Sequence, residues 1–325
     1  MDASPRIWLL IDDRAGNESQ CRGVAEALGL PFEERRLAYS WGACLPNALL
    51  GASFAGLAPD CKARLTPPWP DLVIAAGRRT APVARAIKHR SGGAAKLVQI
   101  MDPGPAGAGD FDLIAIPGHD RAAEHPDRPA NVMTITGAPH RMTPERLDAA
   151  ARHWRAAFEH LPKPWIALIV GGGTRRRSFS AAMAAELGAM ASAMARSAGG
   201  SLLITTSRRT GPAGARVLAA VDAPRYAFTW GEEGENPYAG YLALADAVVV
   251  TGDSVSMCSE ACAMGKPVYV FAPPPLITGK HARFHRSLYQ GGYARPFTGV
   301  YEGWSHPPLN AARDIAAAIR AKLKL

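Results

Sequence analysis

Cysteine is scarce in this sequence, and long apolar runs are absent. The five cysteines in 325 residues form an odd set, which favours free thiols in a reducing compartment over a disulfide framework. No run of about 20 apolar residues is present, so no segment is expected to cross a bilayer as a helix. The first residues are not typical of a secretory signal, because two acidic residues follow a short apolar run. These absences predict a protein of the cytoplasm.

Acidic residues are few in the second half of the chain. Residues 1–162 carry 19 basic and 18 acidic side chains, whereas residues 163–325 carry 18 and 10, so the net charges are +1 and +8. The excess lies in short clusters at 174–178, 207–210 and 279–286, which we expect to be loops. Short basic loops favour binding of one phosphate group over a long nucleic-acid groove, so nucleic acid is not an expected partner.

Short apolar runs alternate with helical patterns along the whole chain. Strands are predicted at 6–12, 71–76, 96–101, 112–117, 131–136, 165–170, 201–206, 225–230 and 246–251, with helices between them, including 40–57 and 143–161. This alternation predicts an α/β protein with two doubly wound, Rossmann-like domains facing a central cleft. The Leu-Pro-Lys-Pro break at 161–164 gives predicted domains of 1–162 and 163–306, followed by a C-terminal helix at 307–325.

In doubly wound sheets, ligands bind beyond the carboxyl ends of the strands. Three glycines, Gly171, Gly172 and Gly173, follow the first strand of the second predicted domain, and Thr174 and Arg176 adjoin them. Glycines let backbone amides approach an anion closely, so this loop is a candidate phosphate site. It matches neither the dinucleotide fingerprint nor the Walker A pattern. A plain tight turn remains the alternative.

A second candidate loop precedes a short helix within residues 248–271. Ser254 and Ser256 are expected at the start of that helix, where unpaired amides favour a phosphate. Glu260 lies further along it, and a carboxylate there can accept two hydrogen bonds from the cis-diol of a ribose. A solvated helix face is the alternative. The other candidates for binding the diphosphate are Ser207, Arg208, Lys280 and Arg283.

These segments resemble two groups of proteins. Residues 241–271 are similar to the donor-nucleotide motif of GT-B glycosyltransferases, including the lipid-linked N-acetylglucosaminyl transferase of peptidoglycan synthesis, at Ala243, Ala245, Asp246, Ser254, Glu260, Gly265 and Pro267. Nearly the whole chain resembles bacterial members of the "elongated mitochondria" family of mitochondrial fission. That resemblance is carried by residues 12–20, 75–82, 98–103, 116–120, 169–179, 205–210, 235–246, 251–261 and 279–292.

The GT-B resemblance implies a GT-B-like fold and transfer of a sugar from a nucleotide sugar, such as a UDP-sugar. It implies inversion at the sugar and no bound metal or other cofactor. The base that deprotonates the acceptor would come from the first domain, where Glu18 resembles the loop glutamate of lipid A Kdo transferases and Asp13 and His119 are alternatives. The family often has histidine where this chain has Asn17. An acid at a helix start such as Glu18 also suits simple capping or exposure.

Two other functions stay open. A nucleotide-sugar epimerase on the same fold would need a second acid–base group, for which His119 and Asp120 are candidates. A non-enzymatic adaptor is the alternative implied by the eukaryotic relatives. His281 and His285 share one helix face, but no glutamate follows the first histidine as in a zinc motif, so no metal is predicted.

Residues 38–59 contain no charged side chain, and Arg35, Arg36, Lys62 and Arg64 flank them. One interpretation is a buried helix and loop. The other is a surface, including Leu49, Leu50 and Phe54, that rests peripherally on the inner face of the membrane or holds a lipid-linked acceptor. The sequence does not predict the oligomeric state.

Overall fold

The computed structural model describes residues 4–120, 129–174 and 177–323. The chain forms two compact units, Met1–Arg141 together with Asn310–Leu325 (unit 1) and Met142–Leu309 (unit 2). Each unit contains one six-stranded sheet in which all pairings are parallel.

The strands and helices alternate along the chain. The strands are β1 (Ile7–Ile11), β2 (Glu33–Arg36), β3 (Leu72–Ala76), β4 (Lys96–Ile100), β5 (Leu113–Pro117), β6 (Val132–Ile135), β7 (Trp165–Val170), β8 (Ser201–Thr206), β9 (Arg225–Phe228), β10 (Ala247–Thr251), β11 (Val268–Phe271) and β12 (Arg295–Pro296). The helices are α1 (Ala15–Leu28), α2 (Asn47–Leu50), α3 (Pro59–Ala63), α4 (Ala81–Arg90), α5 (Pro144–Phe158), α6 (Ala181–Ser197), α7 (Ala213–Ala219), α8 (Tyr238–Leu244), α9 (Val255–Ala261), α10 (Gly279–Gln290) and α11 (Ala311–Leu323).

In unit 1 the strand order is β2-β1-β3-β4-β5-β6. Along β1, Ile7 and Leu9 face α1 and α11, whereas Trp8 and Leu10 face the opposite layer. Both faces of the sheet are covered, which is why its central strands read as continuous apolar runs. The charged strand β2 lies at the sheet edge and was not predicted, because edge strands can carry charged side chains on both faces.

In unit 2 the strand order is β12-β11-β10-β7-β8-β9. Every residue of β7 is buried, and alternate side chains enter two different apolar clusters. The order is that of a dinucleotide-binding sheet, while unit 1 has the flavodoxin-like order. The predicted class of two doubly wound Rossmann-like sheets is confirmed.

The predicted domain boundary at residue 162 moves to residues 141 and 142 in the structure. Helix α5 packs on α8 within unit 2, where the ring of Phe158 lies 5.4 Å from that of Tyr241. These aromatic partners are far apart in sequence, so the Pro-rich break before β7 indicated a boundary in the wrong place. The predicted C-terminal helix is present as α11, and because it packs on α1, residues 310–325 belong to unit 1.

Residues 40–57 do not form the predicted helix. They form a 3-10 turn at Trp41–Cys44 and the one-turn helix α2, which Pro46 precedes and Gly51 ends with a φ of +56°. Proline lacks an amide hydrogen, and the positive φ of Gly51 is incompatible with a continuing helix, so both residues interrupt a longer helix here. No helix in the described ranges is long and apolar enough to cross a membrane.

Candidate functional site

The direction of winding reverses between β7 and β10 in unit 2. The chain proceeds from β7 through β8 to β9 on one side, then returns to β10 and continues through β11 to β12 on the other. Loops at the carboxyl ends of two such strands diverge and leave a crevice, which is the usual ligand position in these sheets. The loops here are residues 171–174 and 252–254.

The glycine loop after β7 is fitted tightly against its neighbours. The amide of Gly171 donates to Thr251 Oγ1 at 2.7 Å, and that of Gly172 donates to Asp253 Oδ2 at 3.0 Å. A Cβ on Gly172 would lie 2.1 Å from the carbonyl oxygen of Arg209. These two amides are already bonded within the protein, so they do not form the phosphate cradle that the sequence predicted. Their lack of side chains instead permits close packing of three loops.

The remaining residues of that loop form a small turn. The amide of Thr174 donates to the carbonyl of Arg177 at 2.7 Å, and a Cβ on Gly173 would lie 3.1 Å from the same carbonyl oxygen. Arg176, also predicted to bind the diphosphate, lies outside the described residues.

A buried acid joins this loop to the one after β8. The Asp253 side chain is 0% exposed and lies 2.7 Å from the guanidinium of Arg209, measured between Oδ2 and Nη2. Sequence reasoning selected Arg208 instead, but it is Arg209 that contacts this site. The adjacent arginines are equivalent by residue type, so only the loop conformation distinguishes them. Ser207 lies at the same loop, with its hydroxyl 3.2 Å from that of Thr210.

Helix α9 carries the predicted ribose ligand. Its N-cap is Ser254, whose hydroxyl accepts from the amide of Met257 at 3.3 Å, and Ser256 is half-buried in the first turn. In the last turn, the hydroxyl of Tyr238 donates to Glu260 Oε2 at 2.5 Å. Burial raises the pKa of Glu260, and this hydrogen bond opposes that rise. Burial and the nearby Glu260 raise the pKa of Tyr238 well above its ordinary value, so its hydroxyl stays a donor.

Helix α10 brings cations towards the same loops. The basic cluster at 279–286 forms part of this helix and not the predicted loop, because Thr278 and His281 form a reciprocal capping box at its start. Burial lowers the pKa of His281, Asp253 opposes this, and the charges of Lys280 and Arg209 add to the lowering. The three charged groups Asp253, Lys280 and Arg209 therefore all affect the pKa of the His281 imidazole. Arg283 lies one turn further along the helix.

The other histidine of α10 is a packing residue. His285 is buried, and a Cβ on Gly252 would lie 2.5 Å from its Cε1. Burial lowers the pKa of His285 to about 4, so its ring is neutral at pH 7. Within the described ranges, no group of three or more His, Cys, Asp or Glu side chains is arranged to hold a metal.

Unit 1 has its own reversal of winding, between β1 and β3. Asp12 follows β1, is buried, and accepts from Asn17 Nδ2 at 2.9 Å. Arg79 follows β3, pairs with Asp13 and lies 3.5 Å from Asp12 Oδ2. Its guanidinium also stacks 4.4 Å above the ring of Tyr39. Asn17 thus holds a buried acid.

The three residues predicted as alternative bases have different surroundings in unit 1. Asp13 lies at the winding reversal, and its hydrogen bond from Arg79 holds the pKa of its carboxyl below the ordinary value. Glu18 pairs with Arg22 at 2.9 Å and with Arg36 at 3.1 Å. His119 is buried beyond the end of β5, two strands from β3.

Residues 38–59 combine both interpretations considered above. Leu50, Phe54 and Leu57 are buried, which corrects the surface assignment of Leu50 and Phe54. In contrast, Trp41, Leu45 and Leu49 are 82%, 37% and 74% exposed. The segment therefore covers the sheet with one set of apolar side chains and exposes another.

Solved structures share this architecture. UDP-GlcNAc 2-epimerase from Methanocaldococcus jannaschii, in complex with UDP-GlcNAc and UDP, aligns with a TM-score of 0.54 and 10% identity over 98% of this chain and 100% of that chain. The glycosyltransferase SnogD from Streptomyces nogalater aligns with a TM-score of 0.52 and 15% identity over 99% of this chain and 95% of that chain. MurG from Acinetobacter baumannii aligns with a TM-score of 0.50 and 14% identity over 98% of this chain and 100% of that chain. At such identities the likeness establishes the GT-B fold alone.

Sequence relatives define the family. The Arabidopsis thaliana mitochondrial fission protein ELM1 is 33% identical over 85% of this chain and 69% of its own length. An uncharacterized protein of Rickettsia prowazekii (strain Madrid E) is 31% identical over 98% of this chain and 99% of its own length. The family described as Mitochondrial fission ELM1 matches residues 15–323. The chain therefore belongs to the Mitochondrial fission ELM1 family.

Proposed function

We propose that this protein transfers a sugar from a nucleotide sugar to an acceptor hydroxyl, with inversion and without a bound metal. The observation that carries the proposal is the Glu260–Tyr238 pair at the winding reversal of unit 2. Support comes from the shared fold, since the Methanocaldococcus jannaschii relative was solved with UDP-GlcNAc and UDP.

Glu260 is suited to bind a diol. Tyr238 holds one carboxylate oxygen, and among the described residues it is the only hydrogen-bond partner of the Glu260 side chain. Burial disfavours the ionised carboxylate, as its raised pKa indicates. A partly desolvated acceptor of this kind gains from new hydroxyl donors, and a ribose offers two adjacent ones.

The diphosphate would be bound by cations and not by the glycine amides. Arg209 lies beside the glycine loop, with its Nη1 3.4 Å from the carbonyl oxygen of Gly172, and it acts electrostatically on His281, the neighbour of Lys280 in α10. Arg283 is in the same helix as Lys280. Cations at this position would stabilise the leaving nucleoside diphosphate, so the transfer would need no metal. We therefore place Arg209 in the role first given to Arg208.

Titration calorimetry with UDP, UDP-GlcNAc and other nucleotide sugars tests the donor site. Glu260→Ala should weaken binding of a nucleoside diphosphate by about 1.5–3 kcal/mol, the range for hydrogen bonds to charged groups. Glu159→Ala, an exposed carboxylate of the same unit, serves as the control. Unchanged affinity in a folded Glu260→Ala variant would rule out the assigned role.

The base is proposed to be Glu18 of unit 1. Asp13 is a weaker candidate, because Arg79 lowers its pKa and a stronger acid is a poorer proton acceptor. His119 is the third candidate. Comparison of kcat for Glu18→Gln, Asp13→Asn and His119→Gln would separate them, since loss of the true base should lower kcat by about 100-fold or more with little effect on donor affinity.

A nucleotide-sugar epimerase is a second candidate, because several structures of the same fold are UDP-GlcNAc 2-epimerases. NMR of UDP-GlcNAc incubated with the protein distinguishes the two reactions. A transferase should release UDP only when an acceptor is present, whereas an epimerase should convert the sugar without any acceptor. Absence of nucleotide binding would favour a non-enzymatic adaptor.

We also propose that the acceptor is lipid-linked and that the protein works peripherally at a membrane surface. Support comes from Trp41, Leu45 and Leu49, whose exposed side chains lie in one short segment. The segment is flanked by the four basic residues Arg35, Arg36, Lys62 and Arg64. Exposed apolar groups with basic neighbours suit an anionic bilayer.

A further inference from the structure

A cavity of about 560 Å³ opens in unit 1 at the carboxyl ends of β1 and β3. Asp13, Arg14, Tyr39, Trp41, Arg78 and Arg79 are among its lining residues. This volume falls within the range of small-molecule sites, about 300–1,000 Å³. It is also large enough for more than a single phosphate ion. The position matches the ligand crevice of doubly wound sheets.

We propose that this cavity binds the phosphate-bearing head of an amphiphile, whose aliphatic part lies along Trp41, Leu45 and Leu49. The inference rests on the proposed function, in which this molecule is the acceptor. It names the chemistry of that acceptor, a phosphate ester on an apolar chain.

One wall of the cavity is fixed by a reciprocal clamp. Arg78 donates to the carbonyls of Ala43 and Leu45 at 3.1 Å and 2.8 Å and to Asn47 Oδ1 at 3.1 Å. Asn47 Nδ2 donates in return to the carbonyl of Arg78 at 3.0 Å and to that of Pro103 at 2.9 Å. The apolar segment is therefore held against the loops after β3 and β4, so the cavity is preformed.

The cavity carries excess positive charge. Arg79 is balanced by Asp12 and Asp13. Arg78 bonds only to uncharged oxygens, and neither Arg14 nor Arg78 pairs with a carboxylate anywhere in the described chain. Both of these arginines are exposed. Guanidinium groups match the geometry of phosphate oxygens, so an anionic head is the favoured ligand.

The segment that lines the cavity at Trp41 carries an exposed apolar rim, which consists of Trp41, Leu45 and Leu49. Trp41 lines the cavity and is largely exposed, and Leu45 and Leu49 follow it in the same segment. These three are among only five large apolar side chains exposed in the described part of the chain. A small hydrophilic anion would gain nothing from this rim, whereas an aliphatic chain would bury it.

Calorimetry with three small probes tests both halves of the ligand. Octyl phosphate has both parts, inorganic phosphate lacks the chain, and octyl glucoside lacks the charge. The folded protein should bind octyl phosphate at least about tenfold more tightly than either of the others, because both contributions add. Equal binding of octyl phosphate and inorganic phosphate would contradict an amphiphilic ligand, because the aliphatic chain would then contribute nothing. Equal binding of octyl phosphate and octyl glucoside would contradict recognition of a phosphate group.

Two variants assign the two parts to residues. Arg14→Gln should weaken octyl phosphate about tenfold and leave octyl glucoside unchanged, while Arg14→Lys should retain part of the affinity. Trp41→Ala should weaken both amphiphiles and leave inorganic phosphate unchanged. Trp230→Ala is the matched control, since Trp230 is an exposed tryptophan of unit 2. An equal loss from Trp41→Ala and Trp230→Ala would contradict the assigned site.

Vesicles and nucleotides complete the experiment. Binding to phosphatidic acid vesicles but not to neutral vesicles supports a lipid headgroup as the source of the phosphate, and binding to both equally argues against it. UDP binding is measured on the same samples. If the protein binds octyl phosphate but no nucleotide, the proposed transfer fails and this site stands. If the protein binds nucleotide but no octyl phosphate, the proposed transfer stands and this phosphate site fails.

Discussion

The winding reversals of the two units have the same plan and different surroundings. Each has a buried aspartate, a tightly fitted glycine and an arginine from a neighbouring loop. In unit 1 these are Asp12, Gly77 and Arg79, and in unit 2 they are Asp253, Gly172 and Arg209.

The difference lies in how the arginine is balanced. Arg79 faces two carboxylates and is 20% exposed, whereas Arg209 faces one buried carboxylate and is 36% exposed. Lys280 of α10 adds positive charge next to His281, the imidazole on which Arg209 also acts. The fold thus sets the position of both sites, and the loop side chains set their chemistry. In unit 2 the arginine of the reversal has one carboxylate partner, whereas in unit 1 that arginine has two and the excess positive charge comes from Arg14 and Arg78.

The largest expected effect concerns the two glycines. A Cβ at Gly172 would lie 2.1 Å from a backbone carbonyl oxygen, whereas a Cβ at Gly77 would lie 2.6 Å from the side chain of Asn17. Backbone yields less than a side chain, so Gly172→Ala should lower the free energy of unfolding by about 3 kcal/mol or more. Urea denaturation measures it, with Gly16→Ala in open space as the control. A loss for Gly172→Ala below 1 kcal/mol would contradict the packing described.

The next largest expected effect is the loss of stability when Arg209 or Arg79 is replaced. Without Arg209, buried Asp253 keeps the amide of Gly172 as its only donor in the described ranges. Without Arg79, Asp12 keeps both Asn17 and the amide of Arg14. Arg209→Ala should therefore cost about 2–3 kcal/mol of stability and Arg79→Ala about 1–2 kcal/mol, because unpaired buried acceptors are costly. Thermal and urea unfolding measure both. Arg209→Lys should recover part of the loss, and a larger cost for Arg79→Ala would reverse the comparison.

How far the sequence predicts this molecule depends on the range of the interactions. The buried central strands were found because both faces of each sheet are covered, and the N-cap of α5 at Thr143 was found because capping is local. The domain boundary was misplaced because α5 finds its aromatic partners in α8, more than eighty residues away. The predicted site residues stay a prediction, but the structure shows Arg209 and not the predicted Arg208 in contact with Asp253, since only the folded loop shows which guanidinium reaches that carboxylate.

The apolar surface of unit 1 gives a smaller effect. Replacing Trp41, Leu45 and Leu49 together with serine should reduce binding to anionic liposomes at least about tenfold, because the apolar area that enters the interface is lost. Trp230→Ser in unit 2 should change binding little. Sedimentation with liposomes at rising salt measures both, and the basic flanks predict release as salt rises. Failure of the unaltered protein to bind liposomes would refute the membrane surface, while UDP binding would show that the variants remain folded.

The smallest expected effect concerns the pH dependence of the free energy of unfolding, which should have opposite signs for Asp13 in unit 1 and Glu260 in unit 2. The folded-state pKa of Asp13 is lowered from 3.8, mainly by its hydrogen bond from Arg79, so its ionised form stabilises the fold. That stability is present above pH 3.8 and is lost as the pH falls through the lowered value. Burial raises the pKa of Glu260 from 4.5, so stability decreases as the pH rises through 4.5 towards the raised value.

Substitution should therefore have opposite signs in the two units at pH 7. Asp13→Asn should lower the free energy of unfolding, by less than about 1 kcal/mol because the Asp13 side chain is largely exposed. Glu260→Gln should raise it, since glutamine keeps an acceptor for Tyr238 without a buried charge. The Glu260 difference should shrink as the pH falls below 4.5, and the Asp13 difference should shrink as the pH falls from 3.8 through the lowered value, because each carboxyl then becomes protonated in folded and unfolded chains alike. Urea unfolding from pH 3 to pH 8 measures them. The same sign for both variants at pH 7 would mean that Glu260 already has a compensating partner and is not poised to accept a ribose.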